Sequence, residues 1–211
     1  MEDAGDLVLL SADKQMAETL RGILSRPEAL GTREISCTVN THVKRDPGCR
    51  TDAHNFLRSF QTDFDHALVL FDYEGCGASD SSSPREVESE VEDRLRRTGW
   101  ENRARCVVID PELEVWVWSD SPEVDRCLGW DPSGQRVQDW LRAHDRWPME
   151  APKPPAPKAA VEKVLAAVHR PRSSSLFREL AETVSLERCE DESFQRFRRI
   201  LQEWFPPSWR Q

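Results

Sequence analysis

The chain has 211 residues, of which 38% are hydrophobic and 32% are charged, with a formal net charge of −9. This length suits one hydrophobic core with a small extension. No apolar run reaches the about 18 residues that would indicate a membrane-spanning helix. Residues 1–6 also lack the basic and apolar regions of a signal peptide, so we expect a cytoplasmic protein that binds no membrane.

The charge is distributed unevenly along the chain. Residues 1–150 contain 18 Lys and Arg against 30 Asp and Glu, a difference of −12, whereas residues 151–211 contain 11 against 8, a difference of +3. Nucleic-acid phosphates bind most strongly to clustered cations, so the acidic part over residues 1–150 should bind them poorly by itself. A nucleic-acid contact would therefore need a bridging metal ion, a partner protein or the mildly basic C-terminal part.

Hydrophobic patterns alternate between strand and helix over the first 110 residues. Met16, Leu20 and Ile23 recur at helical spacing after a short apolar run, and Asp46-Pro47-Gly48 is typical of a turn. The predicted strands are 7–10, 35–39, 67–71 and 106–109, and the predicted helices between them are 14–25, 52–60 and 84–98. This order predicts an α/β fold with a mostly parallel four-stranded sheet flanked by helices.

The remainder of the chain is predicted to be helical. A helix start is expected at Asp110-Pro111-Glu112, followed by short helices and loops rich in Trp. Residues 148–157 contain five prolines and indicate a stiff linker. We therefore predict an α/β domain over 1–147 and a C-terminal helical extension over 158–211, with helices at 158–169, 174–183 and 191–204.

Acidic side chains follow the third predicted strand. Asp72 and Glu74 lie two residues apart and can point the same way. Ligands of open α/β sheets bind beyond the carboxyl ends of the strands, and carboxylate oxygens suit Mg²⁺. The pair is therefore a candidate site for Mg²⁺ or Mn²⁺, and the alternative is a solvated turn.

Further acids follow the first and fourth strands. Asp13 should lie at the same edge of the sheet, unless it serves as the N-cap of the first helix. Asp110, Glu112 and Glu114 follow the fourth strand, and one or two of them could complete a carboxylate cluster. The alternative is that these three acids cap a helix and interact with its dipole.

The segment from residue 42 to residue 54 is unusually polar. Arg45 and Arg50 could grip a phosphate, or they could pair with nearby acids. His42, Cys49 and His54 invite a zinc interpretation, but their spacing matches no common zinc pattern and a tetrahedral site needs a fourth ligand.

Two segments carry a family resemblance. The strand that ends in Asp72-Tyr73-Glu74 resembles the Asp-x-(Asp/Glu) motif of TOPRIM domains. Residues 110–120, which contain Pro111-Glu112-Leu113-Glu114, resemble a segment of small TOPRIM-like proteins of bacterial defence islands, closest to a subunit of methylation-associated defence systems. The resemblance covers residues 7–130.

The resemblance implies Mg²⁺-dependent phosphodiester chemistry. It makes Asp72 and Glu74 the metal-binding pair, places Asp13 near the family's first-strand Glu, and makes Glu112 and Glu114 candidates for an auxiliary acidic position. The sequence departs from the family after the first strand, where Asp13 stands in a turn that contains no Glu.

Two functions are compatible with these features. In the first, the chain is a metal-dependent nuclease of an anti-phage system. Asp13 and Glu114 would then orient water or hold a second ion, and Arg45 or Arg50 would steady the phosphate. In the second, it is a non-catalytic subunit that docks other defence proteins through the linker and the Trp-rich stretch between Trp116 and Trp147. The second function is favoured by the absence of a Glu after the first strand and by the net negative charge of residues 1–150. The first function is favoured by the acidic residues at the strand ends.

Overall fold

A computed structural model describes residues 5–79, 81–131 and 134–207. Its centre is a four-stranded sheet in the order β2-β1-β3-β4, in which every neighbouring pair is parallel. The strands are β1 Gly5–Ser11, β2 Cys37–Thr41, β3 Phe64–Asp72 and β4 Ala104–Ile109. The prediction of an α/β fold with a four-stranded parallel sheet is therefore confirmed.

Nine α-helices occur in the described part of the chain. They are α1 Lys14–Leu24, α2 Pro27–Leu30, α3 Arg45–Phe56, α4 Pro84–Leu95, α5 Pro122–Cys127, α6 Val137–Ala143, α7 Pro157–Ala167, α8 Ser174–Thr183 and α9 Glu192–Trp204. The helices α1, α7, α8 and α9 agree with their predicted bounds to within two residues. Their periodic apolar residues are buried on one face, as in α1, where Met16, Leu20 and Ile23 are at most 2% exposed.

The region around Pro47 differs from the prediction. The expected turn at residues 46–48 is wrong, because α3 begins at Arg45. Pro47 is tolerated there because the first turn of a helix leaves its N–H groups without intrahelical partners. Gly48 is required because a Cβ atom would collide with the ring of His42. The earlier helix start places Asp46 on the first turn of α3, beside the end of β3.

The segment after β4 also differs from the prediction. Instead of a helix that begins at Pro111, a short 3-10 helix runs over Leu113–Trp116, and its N-cap is Glu112. The next α-helix begins only at Pro122. Asp110 therefore does not cap a helix, and the two glutamates of this segment turn towards the sheet edge.

The C-terminal helices share the core of the sheet. α8 lies along α1, and Gly22 of α1 lets it come close, since an added Cβ would lie only 2.8 Å from the Cβ of Ala181. Phe197 of α9 is fully buried in the same hydrophobic cluster as β4. In the predicted linker, Lys153 Nζ donates to the carbonyl oxygen of Val115 at 2.6 Å. This packing does not show whether either predicted domain folds alone, so the boundaries remain predictions.

None of the helices in the described ranges has the length and apolarity needed to cross a membrane.

Candidate functional site

A cavity of about 860 Å³ lies at the carboxyl edge of the sheet. It is bounded by the ends of β1 and β3, the start of α3, the segment after β4 and the start of α7. Six residues singled out from the sequence line it: Asp13, Arg45, Asp72, Glu74, Glu112 and Glu114. Four charged residues that the sequence analysis missed also line it: Asp46, Lys158, Glu162 and Arg172. The parallel strand ends therefore bring most of the candidate residues to one place.

Asp72 and Asp46 form the centre of the cavity, and we call them the central acid pair. Asp72 is the last residue of β3, and its Oδ1 atom is buried without a hydrogen-bond partner among the residues that the structure describes. Asp46 Oδ1 accepts a hydrogen bond from the backbone N–H of Asp72 at 2.9 Å. The carboxyl group of Asp46 is thus held at the end of β3, where the carboxyl group of Asp72 has an unsatisfied oxygen.

The electrostatics of the central acid pair disfavour two negative charges. Burial raises the pKa of Asp72 well above its usual value, and the nearby carboxylates of Asp46, Glu114, Asp13 and Glu112 raise it further. Burial also raises the pKa of Asp46, although the hydrogen bond from Asp72 opposes the shift. A bound cation would offset this repulsion, because an opposite charge favours the ionised form of a carboxyl group.

Asp13 uses both of its carboxylate oxygens. Oδ1 accepts a hydrogen bond from the backbone N–H of Met16 at 2.9 Å and so caps α1. Oδ2 accepts a hydrogen bond from Arg45 at 2.8 Å. The side chain of Arg45 is 67% exposed, and its backbone has a positive φ of 52°. Asp13 thus lies at the predicted edge of the sheet and also has the capping role that was its alternative.

Glu112 and Glu114 face the C-terminal helices across the cavity. Glu112 Oε1 accepts a hydrogen bond from the backbone N–H of Lys158 at 3.0 Å, and the Nζ atom of Lys158 lies 3.9 Å from Glu112 Oε2. Glu114 is 2% exposed and forms an ion pair with Arg172. Burial raises the pKa of Glu114, although Arg172 opposes that shift. Both glutamates therefore tie the segment after β4 to the C-terminal part of the chain.

Four ion pairs join lining residues of the cavity, and one of them is the pair between Arg172 and the exposed Glu162. The other three involve acids that were predicted from the sequence. We call this set the ion-pair ring, and it consists of Arg45 with Asp13, Lys158 with Glu112, and Arg172 with Glu114. Within the described ranges, neither member of the central acid pair forms a salt bridge. Glu74 is exposed at the rim, where its backbone N–H donates to the carbonyl oxygen of Pro111 at 2.9 Å.

Two candidate residues do not line this cavity. Arg50 donates to Glu90 at 3.0 Å and to the carbonyl oxygen of Gly77, so it fastens the loop after β3 to α4. Asp110 lies in a separate cavity of about 250 Å³. Burial and the charge of Asp191 raise the pKa of Asp110.

The donor set of the cavity fits a hard divalent cation. Oxygen ligands and a buried carboxylate oxygen without a partner match Mg²⁺, which often uses only one or two carboxylates and keeps several waters. No cluster of three or more His, Cys, Asp or Glu side chains in the described part of the chain is arranged to enclose a metal ion, and the polar segment with His42 and Cys49 is no exception. Asp72 and Asp46 are the two residues of this lining that could hold a hydrated ion, and Glu74 lines the same cavity.

The sequence matches no protein-family model, and neither the curated proteins nor the solved structures contain a match to it. The resemblance to TOPRIM domains therefore stays a prediction, and the functional argument depends on the geometry of the cavity.

Proposed function

We propose that the chain is a Mg²⁺- or Mn²⁺-dependent phosphodiesterase that acts on nucleic acid, as a TOPRIM-like component of a bacterial anti-phage defence system. The observation that carries the proposal is the buried Oδ1 of Asp72, which has no hydrogen-bond partner in the described residues and lies beside Asp46 at the carboxyl edge of β3. The link to defence systems depends on the resemblance of residues 110–120 alone.

Asp72 and Asp46 would hold the ion, and Glu74 would reach it through water. When bound, a divalent cation lowers the pKa of a coordinated water and neutralises charge on a scissile phosphate. Asp46 takes the place that the sequence analysis gave to Glu74, because Asp46 is hydrogen-bonded to the Asp72 backbone whereas Glu74 is exposed at the rim.

The remaining charged groups would bind and orient the substrate. Arg45 and Lys158 line the cavity and have side chains that are 67% and 48% exposed, so each could neutralise a phosphate oxygen. Asp13 is fixed by Met16 and Arg45 and could accept a proton from an attacking water. Glu114 forms an ion pair with Arg172 and so holds that arginine in the lining of the cavity.

A second candidate function is that of a non-catalytic subunit. It is favoured by the ion-pair ring, in which Asp13, Glu112 and Glu114 have cationic partners without any metal ion. Trp116, Trp118 and Trp147 are at most 7% exposed, because they pack in the core, so these three side chains are not available to a partner. Docking through the remainder of the Trp-rich stretch, where Trp130 and Trp140 are half-buried, stays a prediction.

Calorimetry with Mg²⁺ and Mn²⁺ tests the metal site. The wild type should bind, whereas Asp72→Asn and Asp46→Asn should lose binding, and Glu74→Gln should weaken it. Asp65→Asn is the matched control, because Asp65 is an exposed acid at the opposite end of the same strand. Hydrolysis of single- and double-stranded DNA by the same samples should follow metal binding. Absence of binding by the wild type at millimolar concentrations would remove the enzymatic proposal and favour the non-catalytic subunit.

A further inference from the structure

The cations of the ion-pair ring are not saturated by their carboxylate partners. Lys158 Nζ lies 3.9 Å from Glu112 Oε2, beyond hydrogen-bond distance, and its side chain is 48% exposed. Arg45 contacts Asp13 through one of its nitrogens and is 67% exposed. Arg172 Nε is buried and has no hydrogen-bond partner in the described residues. All three side chains line the cavity, but only Arg45 and Lys158 are exposed enough to donate to a ligand that enters it, because Arg172 donates to Gln15, Glu114 and Glu162 and its Nε atom is buried.

Two of these three cations come from the C-terminal part of the chain. Lys158 lies on the first turn of α7, and Arg172 precedes α8. Residues 155–159 contribute to the lining of the cavity. The backbone N–H of Lys158 already donates to Glu112, so the anion-binding group here is the side chain of Lys158 and not the start of the helix.

The shape of the cavity limits what can enter. Its volume of about 860 Å³ lies within the about 300–1,000 Å³ range of sites that enclose small ligands. A volume of this size is too small for a continuous duplex. One or two nucleotides at the end of a strand fit these dimensions, whereas the interior of a duplex needs an open groove along the protein surface.

From these observations we infer that the cavity binds the end of a nucleic-acid strand, with its terminal phosphate held by Lys158 and Arg45. The inference depends on the proposed function, since it names the substrate class of the same site. A terminal phosphate is a monoester that carries more negative charge than an internal diester, and it suits a site with several cationic donors. Seven carboxylates line the cavity against three cations. Binding of the phosphate therefore requires a divalent cation on the central acid pair.

Binding of short fluorescent single-stranded DNA probes tests the inference. The probes are an eight-nucleotide strand without a terminal phosphate, the same strand with a 5′-phosphate, the same strand with a 3′-phosphate, and the free mononucleotide as a competitor. With Mg²⁺ present, we expect the wild type to bind one of the phosphorylated strands about tenfold more tightly than the unphosphorylated strand, the effect of one or two charge-assisted hydrogen bonds. Competition by the mononucleotide would show that the phosphate and one nucleoside suffice.

A matched pair of variants assigns the effect to the cavity. Lys158→Gln should abolish the preference for the phosphorylated strand, whereas Lys163→Gln should retain it, because Lys163 is exposed on the same helix and does not line the cavity. Both variants should bind Mg²⁺ like the wild type. The inference is overturned if phosphorylation at neither end changes affinity, or if the preference survives in Lys158→Gln. Calorimetry on the same samples distinguishes failure of the strand-end inference from failure of the phosphodiesterase proposal. If Mg²⁺ still binds while the preference for a terminal phosphate is absent, only the strand-end inference fails.

Discussion

Removal of Arg172 should destabilise the fold through Glu114, and the loss should depend on pH. Glu114 is 2% exposed and Arg172 is 24% exposed, so Arg172→Met leaves a buried carboxylate without its cation. Loss of one partner of a fully buried pair costs about 3–5 kcal/mol. Because Arg172 is partly exposed, we expect a smaller loss than that range, about 2–3 kcal/mol of the free energy of unfolding at pH 8.

The sign of the pH dependence follows from the raised pKa of Glu114. A buried carboxyl group whose folded pKa exceeds its unfolded value favours the folded state at low pH, and the folded state loses stability as pH rises above the unfolded pKa. Without Arg172 this penalty should increase at pH 8 and should shrink as pH falls, because the raised pKa of Glu114 favours its neutral form in the folded state.

Urea denaturation of four proteins at pH 5 and pH 8 measures these effects. They are the wild type, Arg172→Met, the double variant Arg172→Met with Glu114→Gln, and Glu162→Gln. The double variant should recover part of the loss, because it removes the unpaired charge. Glu162→Gln is the control, since it removes only the exposed pair that Arg172 forms with Glu162 and should cost less than about 1 kcal/mol. A loss for Arg172→Met that equals this control, or that does not change with pH, would refute the reasoning.

Three further predictions concern the free energy of unfolding. Without divalent cations, Asp72→Asn should be more stable than the wild type at pH 7 and equal to it near pH 4. The reason is that the raised pKa of Asp72 makes the folded state of the wild type lose stability as pH rises. Urea titration at both pH values checks this. Gly22→Ala should cost about 1–3 kcal/mol by overpacking against Ala181, whereas Gly134→Ala, where nothing lies within 4 Å, should change thermal stability little. Ser83→Ala should cost about 1 kcal/mol in thermal denaturation, because Ser83 forms the capping box of α4.

The sequence by itself determined the α/β class, the parallel sheet and the place where acids would meet. These features depend on local patterns: apolar runs for β1 and β3, helical spacing for α1, and the rule that parallel strands end at one edge. Asp72 is the last residue of β3 and Asp13 lies two residues after the end of β1, so their positions could be predicted from the sequence.

The tertiary structure decided which acid lies beside Asp72 and which groups surround the pair. The start of α3 at Arg45 depends on the fit of Gly48 against His42, a contact that no local pattern reveals, and that start brings Asp46 to Asp72. Lys158 joins the cavity wall from 46 residues beyond Glu112 along the chain, through the packing of α7.

The buried tryptophans also show which features local sequence patterns predict and which depend on tertiary packing. The sequence favours a core position for Trp116 and Trp118, although Trp suits a docking surface as well as a core. Burial in the core was decided by contacts with distant helices, as in the hydrogen bond from Trp116 Nε1 to Ser193 of α9 at 2.8 Å. Strand ends are specified by neighbours in the sequence, whereas the cations and the wall of the cavity are specified by residues that meet only after the chain has packed.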